Sequence, residues 1–131
     1  MTAEAARVLD RLGVRRHAPV EIDGAQVEAT LAPGDGEQLA EALAQLAEHR
    51  LGAIVCGGGS RLTLGNPPRK ADLILSTEAL TGVDEFDSED GVLHARAGTR
   101  LAEIRERVAA DGWELPIDAP GEGSTLGGSL A

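Results

Sequence analysis

Aromatic side chains are almost absent from this chain: its 131 residues hold one Phe, one Trp and no Tyr. Phe86 and Trp113 alone cannot form a platform on which successive bases stack. Basic residues are scarce too, with 12 Lys and Arg against 22 Asp and Glu and a formal net charge of −10. That sign repels nucleic-acid backbones and anionic membranes, so neither is an expected partner. No apolar run approaches the ~20 residues of a membrane span, which excludes direct insertion by a helix. Arg7, Arg11, Arg15 and Arg16 imitate the basic start of a signal peptide, but no apolar stretch follows, and an amphipathic helix is the better reading. A single cysteine, Cys56, rules out a disulfide framework, so the expected compartment is cytoplasmic. A chain of this length buries one modest core.

What the sequence has in excess is glycine, and it is concentrated. Cys56-Gly57-Gly58-Gly59-Ser60-Arg61-Leu62-Thr63-Leu64-Gly65-Asn66-Pro67-Pro68 follows the apolar run Ala53-Ile54-Val55. A second segment, Pro120-Gly121-Glu122-Gly123-Ser124-Thr125-Leu126-Gly127-Gly128, lies near the end. Together they take eight of the 17 glycines. Consecutive glycines reach φ > 0 without steric cost, so their amides can turn toward one point and bind an anion without Lys or Arg. The alternative is a flexible surface loop. Two such nests suit a large ligand with a diphosphate in its middle.

Two common phosphate motifs fail here. A dinucleotide-binding turn needs G-x-G-x-x-G opening into a helix, whereas Leu62 replaces the last glycine and Pro67-Pro68 prevents an ordinary helix. A P-loop needs G-x-x-x-x-G-K-[ST]; the span from Gly59 to Gly65 is one residue too long, and Asn66 stands at the lysine position. The anion site is therefore expected to consist of loop backbone.

The remaining pattern predicts an α+β chain with mixed strand directions. A helix is expected over residues 3–12, with Val8, Leu9 and Leu12 inward and Gly13 as its stop. A hairpin joins 19–22 to 26–32 around Asp23-Gly24. Asp35 and Gln38 cap a helix over 36–50, whose buried stripe is Leu39, Ala42, Leu43, Leu46 and Ala47, with Gly52 past its end. Residues 53–56 and 72–76 read as buried strands. Strands at 82–87 and 92–97 meet through Asp90-Gly91. Thr99 is expected to cap a helix over 100–110 that buries Leu101, Ile104 and Val108 and stops at Gly112. There is no internal repeat or long linker; residues 1–18 form an N-terminal helical segment and 19–131 the domain.

Other chemistry-bearing residues read as structural. Asp84, Glu85, Asp87, Glu89 and Asp90 flank a turn without calcium-loop spacing and read as solvated. His17, His49 and His94 have no acidic or Cys partner at metal spacing, so no metal site is expected and the three read as surface histidines. Cys56 reads as a small buried hydrophobe. Trp113 and Leu115 are expected in the core, just upstream of the second glycine segment.

The runs GGGSRLTLGNPPRKADLILST, VLHARAGTRLAEIRE and LPIDAPGEGSTLGGSLA resemble the N-terminal FAD-binding part of the FAD-linked oxidases, the superfamily of vanillyl-alcohol oxidase and p-cresol methylhydroxylase (PCMH). GNPPR-x-x-DL and TLGG-x-LA most resemble the FAD-binding subunit of bacterial glycolate oxidase. The resemblance covers roughly residues 27–131. It implies a PCMH-type FAD-binding half-domain: a small mixed sheet with a βαβ start, a β-hairpin and flanking helices.

The resemblance also implies roles. Gly57, Gly58, Gly59, Ser60 and Arg61 would hold the FAD pyrophosphate, with Asn66 closing the loop. Pro120, Gly121, Ser124 and Thr125, then Leu126, Gly127 and Gly128, would run along the diphosphate and flavin. Covalent members commonly carry a His in the first loop; Ser60 and Arg61 stand there instead, implying non-covalent FAD. The implied reaction is hydride removal from a 2-hydroxy acid by the flavin, and the implied partners are other subunits of a glycolate-oxidase-like complex. Family members continue beyond GGSLA into the segments that supply substrate contacts and the catalytic base. The expectation is thus a truncated cofactor domain, with no catalytic residue of its own and no turnover alone. Two alternatives stay open: a non-catalytic interaction or assembly module that has lost the cofactor, and a fragment of another FAD-linked reductase, such as the peptidoglycan-precursor enzyme.

Overall fold

The computed structural model describes residues 3–119 and 121–131, in two compact units. Among the described residues, the first comprises 3–56 and 61–76, the second 57–60, 77–119 and 121–131.

In the first unit, α1 (Ala3–Arg11) leads into β1 (Arg15–Ile22) and β2 (Ala25–Leu31), followed by α2 (Gly36–Glu48), β3 (Ala53–Cys56) and β4 (Leu73–Ser76). Asp23 and Gly24 both adopt positive φ, 49° and 85°, which turns β1 back on β2 as the Asp-Gly pair predicts. β1 begins four residues earlier than expected. It lies at a sheet edge, where Pro19 needs no partner for its missing N–H, and an irregularity between Arg16 and Val20 absorbs it. The strand order is β1-β2-β4-β3, with β1 antiparallel to β2 and both β2 and β3 parallel to β4. The β2-α2-β3 passage is the expected strand–helix–strand start.

Leu9 of α1 and Ala42 and Leu46 of α2 meet Ala29 and Leu31 of β2 and Leu73 and Leu75 of β4 in one apolar cluster. Asp35 caps α2 by accepting from the Gln38 amide at 2.8 Å, while Gln38 Oε1 accepts from the Gly34 amide at 3.0 Å. Three expectations need correction. Leu43 is 48% exposed and Ala47 is exposed, so the buried stripe of α2 is narrower than the apolar pattern suggests. β3 is an edge strand, not a buried one: Val55 is 66% exposed and Cys56 half-buried. Past α2 the left-handed residue is Arg50 (φ 52°), not Gly52. Gly52 lacks a side chain for another reason, since a Cβ there would lie 2.6 Å from the Lys70 carbonyl oxygen. Its amide donates to Asp72 Oδ2 at 2.7 Å, and Lys70 Nζ lies 2.8 Å from the same carboxylate.

In the second unit, β5 (Val83–Asp87) and β6 (Val92–Ala95) form an antiparallel hairpin, followed by α3 (Leu101–Ala109) and the short α4 (Leu126–Leu130). Leu101, Ile104 and Val108 of α3 bury against Val83, Phe86, Leu93, Ala95, Leu115 and Leu126. Thr99 does not cap α3; Arg100 holds that position, without a side-chain bond. The fully buried Thr99 hydroxyl instead accepts from the Gly82 amide at 2.9 Å and donates to the Gly82 carbonyl at 3.0 Å. Trp113 is 43% exposed, not a core residue; its indole N–H donates to the Ser88 carbonyl and its ring lies over Gly91. Leu115 is half-buried against the cluster.

Candidate functional site

Gly57–Ser60 sits in the second unit with the second glycine segment. Of the three consecutive glycines only Gly59 has positive φ, 73°. This corrects the expectation that left-handed backbone is what the run requires. Gly57 and Gly58 are glycine because other chain lies against them. A Cβ on Gly58 would fall on the carbonyl oxygen of Gly123, and one on Gly57 would fall on Thr125 Oγ1. The backbone amides of Gly58, Gly59 and Ser60 find no acceptor among the described residues, and all three residues are exposed. Unpaired amides at the surface are donors for water or for an anion.

The second segment is anchored to residues 97–101. The Leu101 amide donates to Ser124 O at 3.0 Å, the Leu126 amide to Thr99 O at 2.9 Å and the Gly127 amide to Ala97 O at 2.8 Å, with Arg100 and Thr125 paired antiparallel. Gly127 has no room for a side chain, since its Cβ would lie 2.8 Å from that of Ala97. The segment is not loop throughout. Thr125 accepts from the Gly128 amide at 3.3 Å and starts α4. The hydroxyl-bearing Ser124 and Thr125 are both buried, 3% and 5% exposed. Leu126 packs into the α3 cluster, and Gly121 turns the chain with φ 89°. Arg61 and Asn66 belong to the first unit, the former half-buried and the latter exposed. Pro120 lies outside the described residues.

A cleft of about 270 Å³ runs beside the Gly58–Gly123 crossing, lined by Gly57, Gly58, Glu78, Thr81, Gly98, Arg100, Glu103 and Thr125. Gly98 and Arg100 were not singled out in the sequence. Gly98 is buried, and a Cβ there would strike the Thr77 carbonyl. Its signal was a glycine between a strand and a helix start, where chain crossings concentrate. Arg100 offered none, being one arginine among several. Among the described residues no His, Lys or Cys lines the cleft, and no group of three or more His, Cys, Asp or Glu could hold a metal ion. His94 is exposed; His17 and His49 are half-buried beside Thr30 and Glu4. The acidic turn is exposed, and Asp87 accepts from the amides of Glu89 and Asp90. No described helix is long and apolar enough to cross a membrane.

Comparison with known proteins gives this arrangement a context. The family model for an FAD binding domain matches residues 27–131. A D-lactate dehydrogenase of Archaeoglobus fulgidus is 28% identical over 99 residues, 76% of this chain and 22% of that protein. The mitochondrial D-2-hydroxyglutarate dehydrogenase of Bos taurus is 30% identical over 102 residues, 77% of this chain and 19% of that protein. The chain thus spans about a fifth of the length of these relatives. A crystal structure of p-cresol methylhydroxylase with substrate bound superposes with a TM-score of 0.67 at 14% identity, over 85% of this chain and 25% of that one. The architecture is the PCMH-type FAD-binding fold, as the resemblance implied.

Proposed function

This chain belongs to the family of FAD-binding domains, and from that premise we propose that it holds the cofactor of a flavin-dependent oxidoreductase acting on a 2-hydroxy acid. The observation that carries the reading is the Gly58–Gly123 crossing beside the free amides of Gly58, Gly59 and Ser60. It is a cradle that any side chain would fill, and its donors suit a diphosphate. The 2-hydroxy acid class is supported by the names of the D-lactate and D-2-hydroxyglutarate dehydrogenases to which the chain is similar. Glycolate is the candidate within that class, on the GNPPR and TLGG motifs.

Each site residue then has a part. The amides of Gly58, Gly59 and Ser60 bind the diphosphate oxygens, while Gly57 and Gly58 let the two segments close on each other. Thr125 fixes the start of α4, Gly127 keeps that turn slim against Ala97, and Gly128 leaves room for the Thr125 hydroxyl. Gly121, Ser124 and Leu126 would border the cofactor within the same unit, and Arg61, Asn66 and Pro120 are proposed as cofactor contacts on the family resemblance alone. A bound flavin would supply hydride acceptance, and the protein's share is binding and orientation. No catalytic base is assigned among these residues. The FAD is non-covalent, the compartment cytoplasmic, and the partners are further subunits of a glycolate-oxidase-like complex.

The test is to mix the purified chain with FAD and pass it through a gel-filtration column. Flavin absorbance co-eluting with protein supports the reading; flavin that separates completely overturns it.

A further inference from the structure

We propose that Arg100 is a further binding residue of the cleft, a cation that engages the diphosphate of FAD. The inference rests on the FAD-binding reading above and adds a residue and a charge to it. Arg100 lines the cleft with Gly57, Gly58 and Thr125, and its Nη1 lies 3.9 Å from where a Cβ on Gly123 would sit. The guanidinium is therefore beside the crossing whose amides are open.

Arg100 is also uncommitted. Arg16, Arg96 and Arg107 are each held by a carboxylate, at 2.7, 2.9 and 2.7 Å, and Arg105 donates to the Ile117 carbonyl at 2.6 Å. Arg100 has no ion pair and no hydrogen-bonded side-chain partner among the described residues, although Glu103 lies one helical turn away in the same cleft. Its backbone is fixed by the pairing with Thr125, so the side chain starts from a defined point. A planar guanidinium binds phosphate oxygens through two parallel N–H donors, which an ammonium cannot reproduce. Glu78 and Glu103 put negative charge on the same cleft, and a cation beside the amides offsets the repulsion that they would exert on a diphosphate.

The test measures FAD and riboflavin affinity by flavin fluorescence for wild type, Arg100→Gln, Arg100→Lys and Arg96→Gln at two ionic strengths. Arg96→Gln removes the same charge at a residue already paired with Asp84 outside the cleft. Expected are an FAD affinity at least ~10-fold weaker in Arg100→Gln, partial recovery in Arg100→Lys and near-wild-type binding in Arg96→Gln. The salt dependence should shrink in Arg100→Gln, and riboflavin, which has no phosphate, should bind all four alike. Equal FAD affinity in Arg100→Gln and Arg96→Gln overturns the inference and leaves the FAD-binding reading standing. So does an equal loss for riboflavin, which would place the side chain's effect on the fold or the flavin ring. A wild type that binds no FAD overturns the reading and the inference together.

Discussion

The carbonyl oxygen of Gly123 occupies the place where a side chain on Gly58 would begin. Gly58→Val must therefore push the two glycine segments apart, and the open amides move with them. FAD affinity should fall by roughly 100-fold, the equivalent of one or two charge-assisted hydrogen bonds. Cys56→Ala and His94→Ala should change it far less. Fluorescence titration of the three variants decides the matter, and equal affinities would remove the cradle.

Thr99→Val replaces a hydroxyl that serves both the amide and the carbonyl of Gly82. The shape is kept and the partners are left unpaired, so the second unit should lose about 1–3 kcal/mol. Thr99→Ser keeps the hydroxyl and should cost less. A urea titration in which Thr99→Val keeps the wild-type midpoint would show that the two bonds to Gly82 do not hold this turn.

Gly91 and Gly112 both have positive φ, 68° and 80°, but only Gly91 lies against a side chain. Gly112→Ala should cost about 1 kcal/mol, the backbone strain alone. Gly91→Ala adds a Cβ 2.6 Å from the Trp113 ring and should cost more, with a red shift of the single tryptophan's emission. An unchanged spectrum would mean the ring does not rest on this turn.

Flavin bound to the chain should be released by acid precipitation. Neither Ser60 nor Arg61 offers the imidazole that covalent members commonly use in this loop. Flavin colour remaining in the washed pellet would contradict the non-covalent reading.

Local signals carried much of this fold. Asp23-Gly24, the Asp35–Gln38 pair and the Leu101–Ile104–Val108 spacing each specify an element through neighbours a few residues away, and each stands in the structure. Several errors share one origin, contacts made by distant parts of the chain, and strand position in a sheet is one such case. Val55 is apolar enough for a core, yet β3 falls at an edge, and nothing within Ala53–Cys56 encodes that. The glycine run was found for a partly mistaken reason. Left-handed backbone is a local property and was assigned to all three residues, whereas the approach of Gly123 and Thr125 comes from more than 60 positions along the chain. Thr99 resembled a cap because Ser and Thr before a helix commonly cap it, and its true partner, Gly82, lies across the hairpin. Arg100 was invisible because an uncommitted arginine and a paired one look the same in sequence.

The Gly58–Gly123 crossing also bears on how this site can vary. Where a substitution collides with a side chain, a second change that shrinks the neighbour can restore the fit. Gly57 retains that escape, since its obstacle is the Thr125 hydroxyl and Thr125→Ala would clear it. Gly58 has none, because its obstacle is a main-chain carbonyl and the residue that bears it is already the smallest. A genetic screen for suppressors should recover second-site revertants of Gly57→Ala and only true revertants of Gly58→Ala.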